Sequence, residues 1–369
     1  MLVVFVDKQS DYFTQCFGVD SYAEIPLFHK NLYCYMKSNV YMLLNNDYVV
    51  LSQNKSTVFG DDIVFESVEE LVDFIGIRGY KRIAFFFLNS FFTLRFDSFS
   101  SIKNAENDSV FCNENLEIFG AVLNNFTAIK FLKKFTKIIP SFLKNQKEYS
   151  ILQVVETGVF LSNIKDYKLL NKLILSTELC DDLPEIAQGI YSVGDIPRGD
   201  YTIIPPVYFG DNIQIESGAV IGPFSSVYDD SLIARNSVID KSVLLNNCYI
   251  SKDCLLEDCI CCNNVSVRRA SSIFSGSVIG ADYMLSEESI IEGGAYLAEF
   301  LLENYFDLSR LVSPTRNFEK YENDDGFIVL SNKKINIKYH KNFQKNPRVA
   351  IRASSFEAAE EILSGLNLK

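Results

Sequence analysis

Basic charge is in short supply in this chain: 35 Lys and Arg stand against 47 Asp and Glu, a net charge of −12 at pH 7 with an isoelectric point near 4.8. The basic residues are scattered, and a nucleic acid or an anionic membrane surface would demand a cationic footprint, so neither is expected as a partner. Long apolar runs are missing too. No stretch approaches the ~18 residues of a membrane-spanning helix, and the opening MLVVFV meets Asp7 and Lys8 at once, too early for a signal-peptide core. A soluble cytoplasmic protein is the expectation. Histidine is scarce, with only His29 and His340, which leaves little to act as a general base near neutral pH.

What is present is a globular composition, 48% hydrophobic with a mean hydropathy of +0.07 over 369 residues, enough for two or three domains with sizeable cores. The nine cysteines are odd in number and follow no secretory signal, so they read as reduced thiols serving as small apolar residues.

The most regular feature is FGDNIQIESGAVIGPFSSVYDDSLIARNSVIDKSVLLNN, residues 209–247, where every sixth residue is aliphatic or aromatic: Phe209, Ile215, Ile221, Val227, Ile233, Ile239 and Leu245. The fourth place after each is small or apolar (Ile213, Ala219, Ser225, Ser231, Ser237, Val243). A period of six fits neither helix nor simple strand; the unit is a short strand plus a turn, stacked into a solenoid. The phase slips to Ile250 and Leu256, then to Ile273, Ile279, Leu285, Ile291 and Leu297, which suggests a bulge or corner insertion at each slip. Residues 203–298 then make about five coils, each burying its face against its neighbours. AYLAEFLLENYF, 295–306, has helical spacing and reads as a cap for the open end. The stretch resembles the left-handed parallel β-helix of the hexapeptide-repeat superfamily. Many of those proteins are acyltransferases with a histidine on a coil, and neither histidine here lies in the repeats. Cys248, Cys254, Cys259, Cys261 and Cys262 crowd the same region, but their spacings lack the paired C-x2-4-C knuckles of structural metal sites. They read as core fillers.

In front of the solenoid, SVEELVDFI leads directly into YKRIAFFFLN, an amphipathic helix followed by a continuous apolar run, the mark of an α/β layer with a buried parallel strand. ETGVFLSNIKDYKLLNKLILST, 156–177, resembles the end of the sugar-phosphate nucleotidyltransferase (NDP-sugar pyrophosphorylase) domain, with Gly158, Phe160, Asp166, Tyr167, Leu170, Asn171 and Leu175 fitting its pattern. That family commonly carries a C-terminal left-handed β-helix, and GIYSVGDIP fits the usual lead-in to it. AFFFLNSFFTLRFDSF resembles the family's central strand through Phe85, Leu88 and Asn89, and YAEIPLFHKNLYCYMKSNV resembles the helix after its nucleotide loop.

The resemblance implies chemistry whose parts are absent. The family wraps the triphosphate with a glycine-rich loop and holds Mg²⁺ with aspartates; here the loop position reads DKQSDYFTQCFGVDSYAE. The metal positions fall on Phe91 and Ser162. A phenyl ring does not ligate Mg²⁺. Asp7, Asp97 and Asp166 read as solvated or turn residues, and the tract supplying the sugar side is short. No catalytic residue and no metal ligand is therefore assigned, and no cofactor is expected; Mg²⁺ enters only if the chain is a divergent active mannose-1-phosphate or glucose-1-phosphate nucleotidyltransferase. The resemblance implies instead a degenerate copy that assembles with itself or with an active nucleotidyltransferase subunit and responds to a sugar phosphate or nucleotide, as in bacterial ADP-glucose pyrophosphorylase partner subunits and the nucleotidyltransferase-like subunits of a eukaryotic translation exchange factor. A hexapeptide-repeat oligomerisation scaffold is a further alternative.

From Ser313 the chain turns polar, and SPTRNFEKYENDDG reads as a linker. FIVL, INIKY and RVAIRA follow as strands, and SSFEAAEEILSGL as an amphipathic helix with a serine cap. RVAIRASSFEA resembles the phosphate loop of phosphohexomutases, which would make Arg352, Ser354 and Ser355 a phosphate site at a helix N-terminus. The expected architecture is α/β plus β-solenoid: a truncated Rossmann-like nucleotidyltransferase domain over 1–180, a left-handed β-helix over 186–300, and a capping helix, linker and small α+β module over 301–369.

Overall fold

The computed structural model describes residues 1–7, 17–43, 47–54, 56–95, 98–133, 149–161, 164–176, 183–291, 296–297, 319–322, 327–331, 336–340 and 350–353. Contacts divide the chain into two units, one of residues 1–14 and 19–162, the other of residues 15–18 and 163–369.

The first unit is layered on a sheet that begins with β1 (Leu2–Val6), buried along its whole length. Helix α1 (Leu32–Asn39) starts where the Asn31 side chain accepts the Cys34 N–H, and β2 (Tyr48–Leu51) and the short β3 (Val64–Phe65) follow. Helix α2 (Val68–Arg78) has the ends its sequence calls for. The Ser67 side chain accepts the Glu70 N–H, Glu69 and Glu70 occupy the first turn, and Gly79 closes the helix in the left-handed region. Its Leu71 and Ile75, one turn apart, face the core. Next come β4 (Arg82–Phe87), β5 (Ser90–Leu94), α3 (Ser98–Lys103), β6 (Ser109–Cys112), β7 (Ile118–Asn124), α4 (Asn125–Lys133), β8 (Ser150–Gln153) and β9 (Val155–Phe160).

The sheet order is β8-β6-β7-β4-β1-β2-β3, with β5 and β9 forming a separate antiparallel pair. The apolar run of β4 is a buried strand parallel to β1, while β7 runs antiparallel to it on the other side, so the sheet is mixed. Alternate residues face opposite layers. Leu2, Val4, Val6, Ile83, Phe85 and Phe87 pack with Leu71, Ile75, Phe131 and Leu132. On the other side Phe5 meets Tyr33 edge-on at 5.4 Å. From β1 the chain moves to β2 and β3, then returns across β1 to β4, so the carboxyl ends of β1 and β4 flank a reversal of strand order, where open α/β sheets tend to place ligands.

The second unit opens with α5 (Ile164–Ser176). This helix, which the resemblance assigns to the end of the front domain, lies by its contacts with the solenoid residues. Short parallel strands then stack into three faces. The first runs through Ile190–Ser192, Val207–Phe209, Ser225–Val227, Val243–Leu244, Ile260–Cys261, Val278–Ile279 and Tyr296–Leu297, the second from Thr202–Ile203 to Ile290–Ile291, the third from Gln214–Ile215 to Met284–Leu285. The first face makes five successive coil-to-coil pairings from Val207–Phe209 to Tyr296–Leu297, in keeping with a β-helix of five coils.

The repeat needs one correction. Leu244, not Leu245, stacks between Val227 and Cys261, so the step shortens already after Ile239 and again after Leu256. Both short steps fall at the same corner, where Lys241 and Asp258 take φ of 49°. They are one-residue deletions rather than insertions: coil partners are 18 residues apart at Val220 and Val238, but 17 at Val238 and Leu255. Most other corners put Asn, Asp or Gly in the left-handed region, among them Asn212, Asp230, Asn247, Asn264 and Asp282, because these residues tolerate positive φ best. Their side chains bond from coil to coil, Asn247 to Asn264 and Asn264 to Asp282 at 2.8 Å each.

The expected cap also changes: Tyr296–Leu297 continues the first face as a strand, and the rest of 295–306 lies outside the described residues. In the tail, Glu319–Glu322 forms a strand within the stretch read as linker, and with Phe327–Ser331, Asn336–His340 and Ala350–Ala353 it makes a four-stranded antiparallel sheet. The helix expected after it lies outside the described residues.

Candidate functional site at the carboxyl ends of β1 and β4

Asp7 follows β1 at the strand-order reversal. Its carboxylate is half-buried and hydrogen-bonded rather than freely solvated, which corrects the sequence reading. Ser52 Oγ donates to Oδ2 at 2.7 Å and the Ala23 N–H to Oδ1 at 3.2 Å, tying together the end of β1, the end of β2 and a short helical turn at Tyr22–Glu24. Burial pushes its pKa up to about 6, against the pull of the Ser52, Ala23 and Ser21 groups, and the Glu24 charge adds to the rise. A carboxyl of this kind exchanges a proton near neutral pH.

The other side of the reversal is apolar. Leu88 N–H bonds to Val6 O at 2.9 Å, and the fully buried Ser90 turns its hydroxyl back onto Phe87 O at 2.9 Å. Phe91 is fully buried, paired in register with Val159 and edge-on to Tyr35 at 6.5 Å. The Leu161 N–H bonds to Asn89 O at 2.9 Å, so the backbone does bring the segment leading to Ser162 beside the Phe91 strand; Ser162 itself lies outside the described residues, as does Asp97. Around the β5–β9 pair, aromatic rings fill the space: Phe86 on Phe92 at 5.7 Å, Phe92 on Phe119 at 5.6 Å, Phe119 stacked on Phe160 at 4.5 Å. Gly158 is required there, since a Cβ would lie 2.3 Å from Phe119 Cζ. Phe91 offers Mg²⁺ no ligand, and among the described residues no group of three or more His, Cys, Asp and Glu could hold a metal ion. Asp166 is half-buried in the first turn of α5.

Of the stretch that the resemblance places at the phosphate loop, residues 8–16 lie outside the described residues. Phe17 is fully buried in the second unit, its ring 4.7 Å from that of Tyr167 and its carbonyl accepting Asn263 Nδ2 at 2.8 Å. Sequence reasoning missed this anchor and missed a second feature, the carboxylate of Asp62. It takes Lys37 Nζ at 2.7 Å, Tyr48 Oη at 2.6 Å and Tyr33 Oη. Burial alone would raise the Asp62 pKa, but these donors outweigh it and hold the carboxyl below its ordinary value. Tyr33 and Lys37, four apart on α1, were the available signal; Asp62 could not be matched to them without the fold.

The solenoid cysteines have a structural explanation. Ser231, Ser237 and Ser242 each accept the N–H of the residue one coil on, and those residues are Cys248, Cys254 and Cys259. The thiols continue the same ladder: Cys248 Sγ donates to Cys262 O at 3.2 Å and Cys254 Sγ to Arg268 O at 3.1 Å. Burial pushes the Cys248 thiol up to about 12 and raises Cys262 well above its ordinary value, the opposite of what a thiolate ligand needs, whereas at Cys259 burial is outweighed by hydrogen bonds from Cys261 and Ser242 and the thiol is lowered. Of the tail candidates, Arg352 lies on the last strand, paired with Ile337, and Ser354 and Ser355 lie outside the described residues. No helix among the described residues is long and apolar enough to cross a membrane.

Residues 203–304 match the family model of the GMPPB C-terminal domain, a stretch that spans the solenoid coils. On that stretch the chain is similar to the C-terminal domain of a GDP-mannose pyrophosphorylase-like nucleotidyltransferase, and the match does not extend to residues 1–202. A search among curated proteins finds no match.

Proposed function

We propose that this chain is a catalytically degenerate sugar-phosphate nucleotidyltransferase relative that serves as a regulatory or structural subunit in sugar-nucleotide or polysaccharide metabolism. On this reading it works in the cytoplasm, keeps a truncated Rossmann-like domain and a left-handed β-helix, and assembles with itself or with an active nucleotidyltransferase subunit. A sugar phosphate or a nucleotide is its effector. The observation that carries the proposal is Phe91, a fully buried ring where the resemblance requires a metal carboxylate. Uncompensated triphosphate charge leaves the barrier to phosphoryl transfer high. The burial of Phe17 against Tyr167 supports the same reading, because it commits a side chain at the end of the loop position to packing.

One observation favours the alternative of a divergent active enzyme: Asp7 is a half-buried carboxylate at the carboxyl end of β1, where a reacting group or a cation would be met. Pyrophosphate release from a panel of NTPs and hexose 1-phosphates in Mg²⁺ separates the two. The proposal expects no turnover; robust turnover that Asp7→Asn abolishes refutes it. A partner is sought by co-purification, and thermal stabilisation by each sugar phosphate and nucleotide identifies the effector.

A further inference from the structure

The solenoid shows on its first face how an outward ladder of mixed and apolar residues is covered. Tyr208, Ser226, Val243, Ile260 and Val278 are buried there, and α5 lies against that face, with Tyr167 Oη 3.1 Å from Tyr228 Oη. The helix is fastened by its own cations, Lys168 on the Asp258 carboxylate and Lys172 over the Phe224 ring at 5.2 Å. The third face carries an outward ladder of the same kind, Leu232, Tyr249, Ser266 and Met284. There Tyr249 is 42% exposed and Met284 49%.

Cations line one corner of that face. Coil-to-coil bonds from Asp253 N to Arg235 O, from Ala270 N to Lys252 O and from Glu288 N to Arg269 O put Arg235, Lys252 and Arg269 at one position of successive coils, with Arg268 beside the last. Glu216 lies 3.9 Å from Arg235. Lys252, Arg268 and Arg269 are exposed and make no ion pair among the described residues. Asp253 is engaged by Asn236 at 3.2 Å, and Glu287 and Glu288 bound the patch on the next coil. Arg268 Nη2 lies 3.2 Å from Met284 Sδ, so its guanidinium extends along the apolar ladder. In a chain of net charge −12, three unpaired cations on neighbouring coils beside exposed Tyr and Met stand out.

We propose that this corner and the third face dock an acidic amphipathic helix of a partner protein. Strands on successive coils are about 4.8 Å apart and successive helical turns about 5.4 Å. A helix laid along the solenoid axis therefore presents carboxylates at i and i+4 to cations on neighbouring coils. Its apolar stripe meets Leu232, Tyr249 and Met284. The arrangement repeats the α5 contact with the signs exchanged.

The test uses the full chain and a fluorescein-labelled 16-residue helical peptide, Leu on one face and Glu on the flank, read by anisotropy. A Gln-for-Glu peptide and a single-stranded oligonucleotide are the controls. Saturable binding should weaken with salt and fall about tenfold or more in K252E/R268E/R269E. Tyr249→Ser with Met284→Ser should weaken it as well, and all these positions are exposed, so the variants should keep the wild-type melting temperature. The proposal fails if the peptide does not bind at low salt, if binding survives both variants, or if the oligonucleotide binds more tightly through the same cations. It fails also if sedimentation shows that the charge reversals abolish self-association, since the occupant would then be a second copy of this chain.

Discussion

The half-buried Asp7 carboxyl should make the front unit less stable as pH rises, the reverse of the usual carboxylate behaviour. Its pKa moves from 3.8 to about 6 on folding, chiefly through burial. Between those values the folded state holds a proton that the unfolded state has lost, so stability declines as pH climbs from about 4 to about 6 and is flat above. Roughly two pKa units at about 1.4 kcal/mol each place the cost at about 3 kcal/mol at neutral pH. Asp7→Asn removes the ionisation but gives up one of the two acceptor oxygens now used by Ser52 and Ala23, a loss of about 1–2 kcal/mol. The variant should accordingly be more stable than the wild type at pH 8 by about 1–2 kcal/mol, and less stable at pH 4.5. Hydrogen exchange by mass spectrometry on peptides spanning β1 and β2, corrected for intrinsic rates, reads the front unit separately from the solenoid. Parallel pH profiles for wild type and Asp7→Asn refute the reasoning, and so does a wild-type profile that rises between pH 4 and 6 relative to the variant.

The remaining expectations are simpler. Gly158→Ala drives a Cβ into the Phe119 ring and should cost about 1–3 kcal/mol by urea unfolding, with partial recovery in Gly158→Ala/Phe119→Leu. Ser237→Ala orphans the Cys254 N–H and the Ser251 carbonyl and should destabilise the solenoid by about 1–3 kcal/mol, whereas Cys254→Ser preserves the ladder and should stay within about 1 kcal/mol, both measured by thermal melting. Chelators should leave that melting point unchanged; a drop would revive the metal reading of the cysteines. Lys37→Met strips the Asp62 carboxylate of its cation, so it should lower the stability of the first unit and raise the Asp62 pKa, visible as a smaller loss of stability on acidification than in the wild type.

How much was legible follows from the range of each interaction. The helix of SVEELVDFI was readable because cap, acidic first turn, apolar spacing and terminal glycine all lie within 13 residues of one another. The solenoid was readable because a coil buries its residues against the same residues of the next, so packing repeats in the sequence. The slips were visible as a change of phase, yet their place and sign were not, since Leu244 and Leu245 are both apolar and both buried. Pairing with Val227 chose between them. Asp7 looked like a solvated residue because nothing near it in sequence reports on Ser52.

The residues alone settled the hexad solenoid, the helix-strand alternation in front of it and the presence of a phenyl ring rather than a carboxylate at position 91, because each is a local pattern or the identity of one side chain. Tertiary structure decided the sheet order, the raised pKa of Asp7, the capture of Phe17 by Tyr167 and Asn263, and the serine-like role of Cys248 and Cys254. Those depend on groups up to 246 residues apart meeting in low-dielectric surroundings, and burial and hydrogen-bond satisfaction are properties of that meeting.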